Sequence, residues 1–506
     1  MTDNNHAAPL WIQLEDSSDQ LNLFSACPVC FLSVIGPSSS STGPKCNVMV
    51  ISWLIAAGGD CLVMSMNKRR HTSTMLNSGS PVCLSIIGSH NEELALNVGS
   101  VSGRWGKSKF PQDYSNDKDQ QTKTRDSNND KTYASRGDQA RMSKRAKKRQ
   151  RFEMGIPGLR REKQGKEGKE AETFAIEGTL AHIHCQVVSK EESIIDDEHY
   201  FVRVAMLRAF VRTAHWDPDT KIFAPKSLEH SSTSSFLGSQ SFGYVVRNPP
   251  TIDNAKLPVH SKLPQQNSAL KCTGNHPKEA ESAWIQLDDG KQFSRLLYPN
   301  PLCLLVFNGH EDRDKEGAAN TVVLERVTAT NNTGSFMFCI PNTSKHQGVF
   351  RTGGDASSAR RSFLLSVPVQ GMEGVVKTVK DCDRVGCSIG QDDKTTPETP
   401  EAAAGRISWQ PILTDDPKWP HQRGIAGCIA HMPCRVYKVV RTDEATNPAM
   451  VVFANIEHAL VHSNYWDKEK NRFVPKVGFA TYLKRLGSDS FGYVSAIKTD
   501  GSGQPE

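Results

Sequence analysis

Asn47-Val48-Met49-Val50-Ile51-Ser52-Trp53-Leu54 is a short apolar run with β-branched residues, and it reads as a strand. Working outward from it, Val29 to Ile35, Cys61 to Met66 and Val82 to Ile87 have the same character and are bounded by Gly, Pro, Ser and Asn. Gly178 to Val188 and Tyr200 to Thr213 read as two further strands joined by an acidic turn at Asp196-Asp197-Glu198. His71 to Ser78 is a short helix following a strand. Many short strands with few helices predict a barrel rather than a doubly wound sheet.

The pattern occurs twice. Trp11-Ile12-Gln13-Leu14 recurs as Trp284-Ile285-Gln286-Leu287, and Ala181-His182-Ile183-His184-Cys185 as Ala430-His431-Met432-Pro433-Cys434. Trp216-Asp217 and Phe223-Ala224-Pro225-Lys226 recur as Trp466-Asp467 and Phe473-Val474-Pro475-Lys476. Leu237-Gly238-Ser239-Gln240-Ser241-Phe242-Gly243-Tyr244-Val245 recurs as Leu486-Gly487-Ser488-Asp489-Ser490-Phe491-Gly492-Tyr493-Val494. Matches that keep one order predict a tandem duplication. Copy one spans 8–248, a Pro-, Asn- and Lys-rich linker spans 249–280, and copy two spans 281–498. Insertions of low-complexity composition interrupt both copies at matching places, at about 111–170 and about 390–423.

The length, 506 residues, accommodates two domains of ordinary size. The net charge of +6 is concentrated in the 111–170 segment, whose Lys and Arg outnumber its acids, so the domains themselves are near neutral. Its Lys144-Arg145-Ala146-Lys147-Lys148-Arg149-Gln150-Arg151 run reads as a solvated loop, with nuclear targeting or nucleic-acid contact as the alternative. The thirteen cysteines sit mostly in apolar runs and read as reduced, buried thiols. No apolar run approaches the roughly 18 residues of a spanning helix. Met1 to Leu10 has no basic region followed by an apolar stretch, so no signal peptide and a cytoplasmic location are expected.

Three local patterns in copy one carry a family resemblance. They are the Asn47 to Leu54 run, the turn Met66-Asn67-Lys68-Arg69-Arg70-His71-Thr72, and Ser102-Gly103-Arg104 with Lys109-Phe110 after it. In this order they resemble the flavin reductase-like, FMN-binding split-barrel family. The resemblance implies a mainly β fold: two tandem six-stranded Greek-key split barrels with short helices, packed as an intrachain pseudo-dimer. It implies FMN as cofactor, with FAD left open, NAD(P)H as co-substrate, and NAD(P)H-dependent flavin reduction as the activity. The family's phosphate-binding roles carry over to Arg70 and Thr72, beside His71. Asn47, Val48, Met49, Ser52 and Trp53 would present backbone groups and a packing face to the isoalloxazine ring, and Ser102, Gly103 and Arg104 would form the rim. Trp105 stands where the family usually has Asp.

Copy two departs from this pattern. Asn320-Thr321-Val322-Val323 keeps the Asn but lacks the Ser-Trp pair. Asn342 to Gln347 holds Lys345 and His346 without an Arg, and Asp383-Arg384-Val385-Gly386-Cys387 is the nearest match to the rim. One flavin per chain is therefore expected. Glu457-His458-Ala459-Leu460-Val461-His462 resembles a late family strand, which makes His462 a speculative contributor to a composite site, against the plainer reading of a polar residue on an outer strand face. A non-catalytic flavin-binding or scaffold protein is the rival function.

Other patterns invite sharper readings. Cys27-Pro28-Val29-Cys30 could be half a zinc site, but Cys30 aligns with Cys303 and reads as a buried strand cysteine. His182 and His184 share a strand face, yet copy two has Pro433 at the second position, so a structural role is expected and no metal site is assigned.

Overall fold

A computed structural model describes residues 11–14, 28–36, 46–57, 61–101, 109–110, 156, 158–161, 173–193, 196–217, 219–220, 222–223, 232–238, 241–246, 284–287, 301–308, 319–331, 333–341, 350, 362–385, 407, 409–411, 423–441, 449–467, 469, 472–473, 481–487 and 490–495. The linker 249–280, the Lys144 to Arg151 run and most of both insertions lie outside these residues.

The chain is mainly β, with few helices and two curled half-barrel sheets. The N-terminal sheet contains β1 (Trp11–Leu14), β2 (Cys30–Ile35), β3 (Cys46–Ile51), β4 (Leu54–Ala56), β5 (Cys61–Asn67), β6 (Pro81–Ile86), β7 (Ala181–Glu192) and β8 (His199–Arg212). Its neighbours run β3-β2-β6-β7-β8-β5-β4, with β1 paired to β8, all antiparallel. The six strands expected from sequence are the long ones, and the short β1 and β4 bring the sheet to eight. The break between β3 and β4 falls at Ser52-Trp53, where sequence alone suggested one continuous strand.

Among the described residues, the helices α1 (His71–Met75) and α2 (Glu92–Ser100) accompany this sheet. The alternation of β3 sends Met49 and Ile51 into the barrel core with Leu32, Leu84 and Ile183, while Val48 packs on the other side with Ala95 and Val98 of α2.

After two strands, β9 (Thr233–Gly238) and β10 (Ser241–Val246), the C-terminal half repeats the arrangement. It contains β11 (Trp284–Leu287), β12 (Cys303–Asn308), β13 (Ala319–Leu324), β14 (Val327–Ala329), β15 (Ser335–Pro341), β16 (Ser362–Val367), α3 (Glu373–Val385), β17 (Ala430–Arg441), β18 (Ala449–Ile456) and β19 (Ala459–His462). The order β13-β12-β16-β17-β18-β15-β14 matches that of the N-terminal sheet. The ninth strand arises because the counterpart of β8 is broken at Glu457-His458. The partner strand carries Pro433 there, which has no N–H to give the ladder; its carbonyl accepts from the Glu457 N–H at 2.9 Å.

The halves meet at a seam. β9 and β10 join β20 (Leu483–Gly487) and β21 (Ser490–Ser495) in one four-stranded sheet, with β10 paired to β21 through Val245↔Val494. Ile55, Cys61 and Val63 pack with Met337, Val451 and Phe453, and the rings of Phe201 and Phe453 lie 4.7 Å apart. Ser65 Oγ donates to the Thr330 carbonyl at 2.6 Å, and the buried Lys484 Nζ donates to Ser235 Oγ at 2.8 Å.

Candidate functional site

Asn47 lies one residue into β3, opposite Val34 of β2, and is buried. Its amide Nδ2 donates to Thr72 Oγ1 at 2.9 Å, tying the strand to the second residue of α1. Thr72 is itself buried, so the pair is formed away from water. Val48 and Met49 are buried alongside, while Ser52 and Trp53 are half-buried at the strand break.

The turn before α1 is fixed by backbone bonds. The Asn67 side-chain oxygen accepts from the Arg69 N–H at 2.9 Å, and the Asn67 carbonyl from the Arg70 N–H at 3.0 Å. Ser73 Oγ donates to the Arg70 carbonyl at 2.6 Å and the Lys68 carbonyl at 3.0 Å. Three consecutive cations leave this turn with different fates. Lys68 pairs with Glu192 at 3.3 Å, and Arg69 with Glu198 at 2.7 Å. The exposed Arg70 guanidinium has no hydrogen-bond or ion-pair partner among the described residues. His71, half-buried, follows it as the first residue of α1.

Lys109 completes the cluster. Its ammonium is buried, donating to the Val48 carbonyl at 2.6 Å and to the Val98 carbonyl in the last turn of α2 at 3.4 Å. Burial, then the nearby Arg70 charge, lower its pKa to about 8. Two cations thus face one region with no carboxylate paired to either among the described residues, which suits an anion. Lys109 belongs to the third sequence pattern, but nothing in its local sequence revealed that it is buried against β3.

Trp53 reaches away from this cluster toward the seam. It packs against the core built mostly from the C-terminal half, and its ring lies 5.8 Å from that of His199 at 47°. His199 is buried, and its Nδ1 lies 3.0 Å from the Asp196 carboxylate. Burial opposes ionisation of Asp196, but hydrogen bonds from Asn331 and His199 hold its carboxyl below its ordinary value. Asp196 was legible only as part of an acidic turn, and His199 lies one residue before the strand expected from Tyr200.

Ser102, Gly103 and Arg104 lie outside the described residues, as do Lys345 and His346. His462 ends β19, where its Nδ1 accepts from the Asn464 N–H at 3.3 Å and its ring meets Tyr465 edge-on at 6.0 Å. Cys30 and Cys303 are buried in matching strands, while Cys27 lies outside the described residues. His182 and His184 are buried, with pKa values lowered to about 3 and about 4 by burial first and by neighbouring charge second. Among the described residues no group of three or more His, Cys, Asp or Glu could hold a metal ion. No described helix is long and apolar enough to cross a membrane.

No protein-family model and no curated protein matches the chain. Parts of it are similar to solved structures. One is an FMN-binding domain of a flavin reductase-like enzyme from Shewanella baltica OS155, with a TM-score of 0.28, 12% identity, and coverage of 42% of this chain and 93% of that one. Another is an FMN-binding protein from Thermus thermophilus with bound 1-cyclohex-2-enone, with a TM-score of 0.26, 12% identity, and coverage of 43% and 85%. A third is a flavoredoxin from Methanosarcina acetivorans, with a TM-score of 0.24, 14% identity, and coverage of 42% and 87%.

Proposed function

We infer that the chain binds FMN on its N-terminal half and acts as an NAD(P)H-dependent flavin reductase. The observation that carries this reading is the convergence of three separate sequence patterns. Asn47 of the strand, Arg70 and Thr72 of the turn, and Lys109 meet around one positive region that no carboxylate among the described residues neutralises. A flavin phosphate is the kind of anion that Arg70, Thr72 and Lys109 suit. FAD carries the same chemistry in a diphosphate and stays within this reading.

In this mechanism Arg70 and Lys109 hold the phosphate end. The β3 backbone and the Ser52-Trp53 break present polar groups and a packing face to the ring system. When bound, the flavin supplies hydride acceptance from a reduced nicotinamide. The protein's part is orientation and exclusion of water, which the buried Asn47–Thr72 pair serves by fixing strand against turn.

The same reading takes the halves as tandem copies, 8–248 and 281–498, packed as an intrachain pseudo-dimer with one working site. Matching sheet orders support it, as do two buried serine–histidine pairs at equivalent register, Ser85 with His182 at 3.4 Å and Ser366 with His431 at 2.9 Å.

The test is a titration of the purified full-length chain with FMN, followed by visible absorbance and then by NADH or NADPH oxidation. One flavin per chain with pyridine-nucleotide turnover is expected. Two equivalent flavins would overturn the single-site reading, and no flavin at all would overturn the function.

A further inference from the structure

Resting on the flavin reading, we propose that Asn331 of the C-terminal half is a positioning residue for the N-terminal flavin site, acting through Asp196 and His199 on Trp53 and the Arg70 turn. The geometry runs as an unbroken series of contacts. Asn331 is buried, and its side-chain oxygen accepts from the Thr333 N–H at 2.9 Å, Thr333 Oγ1 at 2.7 Å and the Ser335 N–H at 3.3 Å. Those bonds fix the orientation of the amide, which leaves Nδ2 to donate across the seam to Asp196 Oδ2 at 2.9 Å.

Asp196 in turn holds His199 twice, accepting from its backbone N–H at 2.9 Å and from Nδ1 at 3.0 Å. With Nδ1 engaged by a carboxylate, the His199 ring has one orientation, and it touches both parts of the candidate site. Its face stands beside Trp53 at the strand break, and its Nε2 lies 3.5 Å from Asn67 Nδ2. Asn67 accepts the Arg69 and Arg70 backbone N–H groups and so sets the turn that presents the Arg70 guanidinium.

Thr330 and Ala57 occupy matching places, because each donates its N–H to the residue that opens the next strand, Ser335 or Cys61. The residue after Ala57 is Gly58, which has no side chain to do what Asn331 does. A C-terminal half that has lost the flavin pattern would thus keep a task, to hold the seam side of the working site. A buried amide donating to a half-buried carboxylate makes a charge-assisted hydrogen bond, which is worth more than a neutral one when cut.

The full-length chain is labelled with 5-fluorotryptophan, and the Trp53 resonance among its eight tryptophans is assigned by its loss in Trp53→Phe. Asn331→Ala and His199→Gln are each expected to move the Trp53 line in the flavin-free protein. Each should also weaken FMN binding about 3- to 10-fold while leaving the stoichiometry at one. If Asn331→Ala collapses the dispersion of all the lines, the milder Asn331→Ser decides instead. A Trp53 line unmoved by both changes, or an FMN affinity unaltered by both, overturns the proposal. A wild-type chain that binds no FMN overturns the flavin reading itself, and the positioning role with it; that result appears before any substitution is made, so the two failures are told apart.

Discussion

The two halves share a strand order but fill their barrels differently. In the N-terminal half the interior carries Met64, Met66, Met75 and Met206 among its aliphatic residues. In the C-terminal half Phe336, Phe338, Phe350 and Phe363 occupy the interior, with Phe338 and Phe363 edge-to-face at 5.7 Å and Phe338 and Phe350 at 5.9 Å. Register makes the exchange specific: Met64 pairs with Leu54 at the start of β4, and Phe338 with Val327 at the start of β14. Thioether side chains adapt to irregular space, whereas phenyl rings in T-shaped contact lock one another. At this register position the N-terminal interior has an adaptable thioether and the C-terminal interior a ring held by its neighbours, while the C-terminal core also holds Met372, Met432 and Met450.

That contrast can be broken most directly by cavity formation. Phe338→Ala should cost about 3–5 kcal/mol, while Met64→Ala, whose adaptable neighbours can relax into the space, should cost nearer the lower end of about 2–5 kcal/mol. Urea unfolding of both variants measures the difference, and equal costs would end the distinction between a rigid and an adaptable position.

Acid sharpens it next. His182, His184 and His431 are all buried with pKa values lowered to between about 3 and about 4, by burial first. The unfolded chain protonates these rings near the ordinary value of about 6.5, before the folded chain does. Their contribution is therefore complete above that value and declines as pH falls through it toward the folded values. At pH 5 each ring costs about 2 kcal/mol relative to pH 7. The N-terminal pair should thus account for about 4 kcal/mol and His431 for about 2 kcal/mol. Unfolding at the two pH values, repeated with His431→Gln and with His182→Gln plus His184→Gln, should show the double change removing about twice as much of the pH dependence.

The smallest effect concerns neighbouring cations. Arg70→Ala should weaken FMN binding by about 1.5–3 kcal/mol, through loss of a charge-assisted contact to phosphate. Riboflavin, which lacks the phosphate, should be nearly indifferent. Arg69→Ala removes an exposed charge already paired with Glu198 and should change affinity by less than about 1 kcal/mol. Equal losses for FMN and riboflavin, or for Arg69 and Arg70, would remove Arg70 from the phosphate role.

Much of the fold could be read locally. The strand positions follow from short β-branched runs bounded by turn residues, and the observed β2, β5, β6, β7 and β8 lie within a few residues of the expected ones. The helix α2 was not expected: of its apolar residues Ala95 and Val98 are buried and Leu94 half-buried, but Leu96 is exposed, so they do not mark one clean face. The interruption at Ser52-Trp53 was also hidden, since it depends on the Trp53 carbonyl accepting from Ser65 rather than on any local breaker.

By itself, then, the sequence determined a β-rich chain, the order of its strands along each half, the recurrence of its motifs, and the residues Asn47, Arg70 and Thr72 as candidates for one site. Those features depend on neighbours close in the chain. Which of Lys68, Arg69 and Arg70 stays unpaired among the described residues was decided only in three dimensions, because Glu192 and Glu198, which take the other two, lie more than a hundred residues away. The burial of Lys109 under β3 and the pairing of Asn331 with Asp196 were decided there too. A charge is neutralised, or a polar group desolvated, by whatever the fold carries within a few ångströms, and no local pattern encodes that distance.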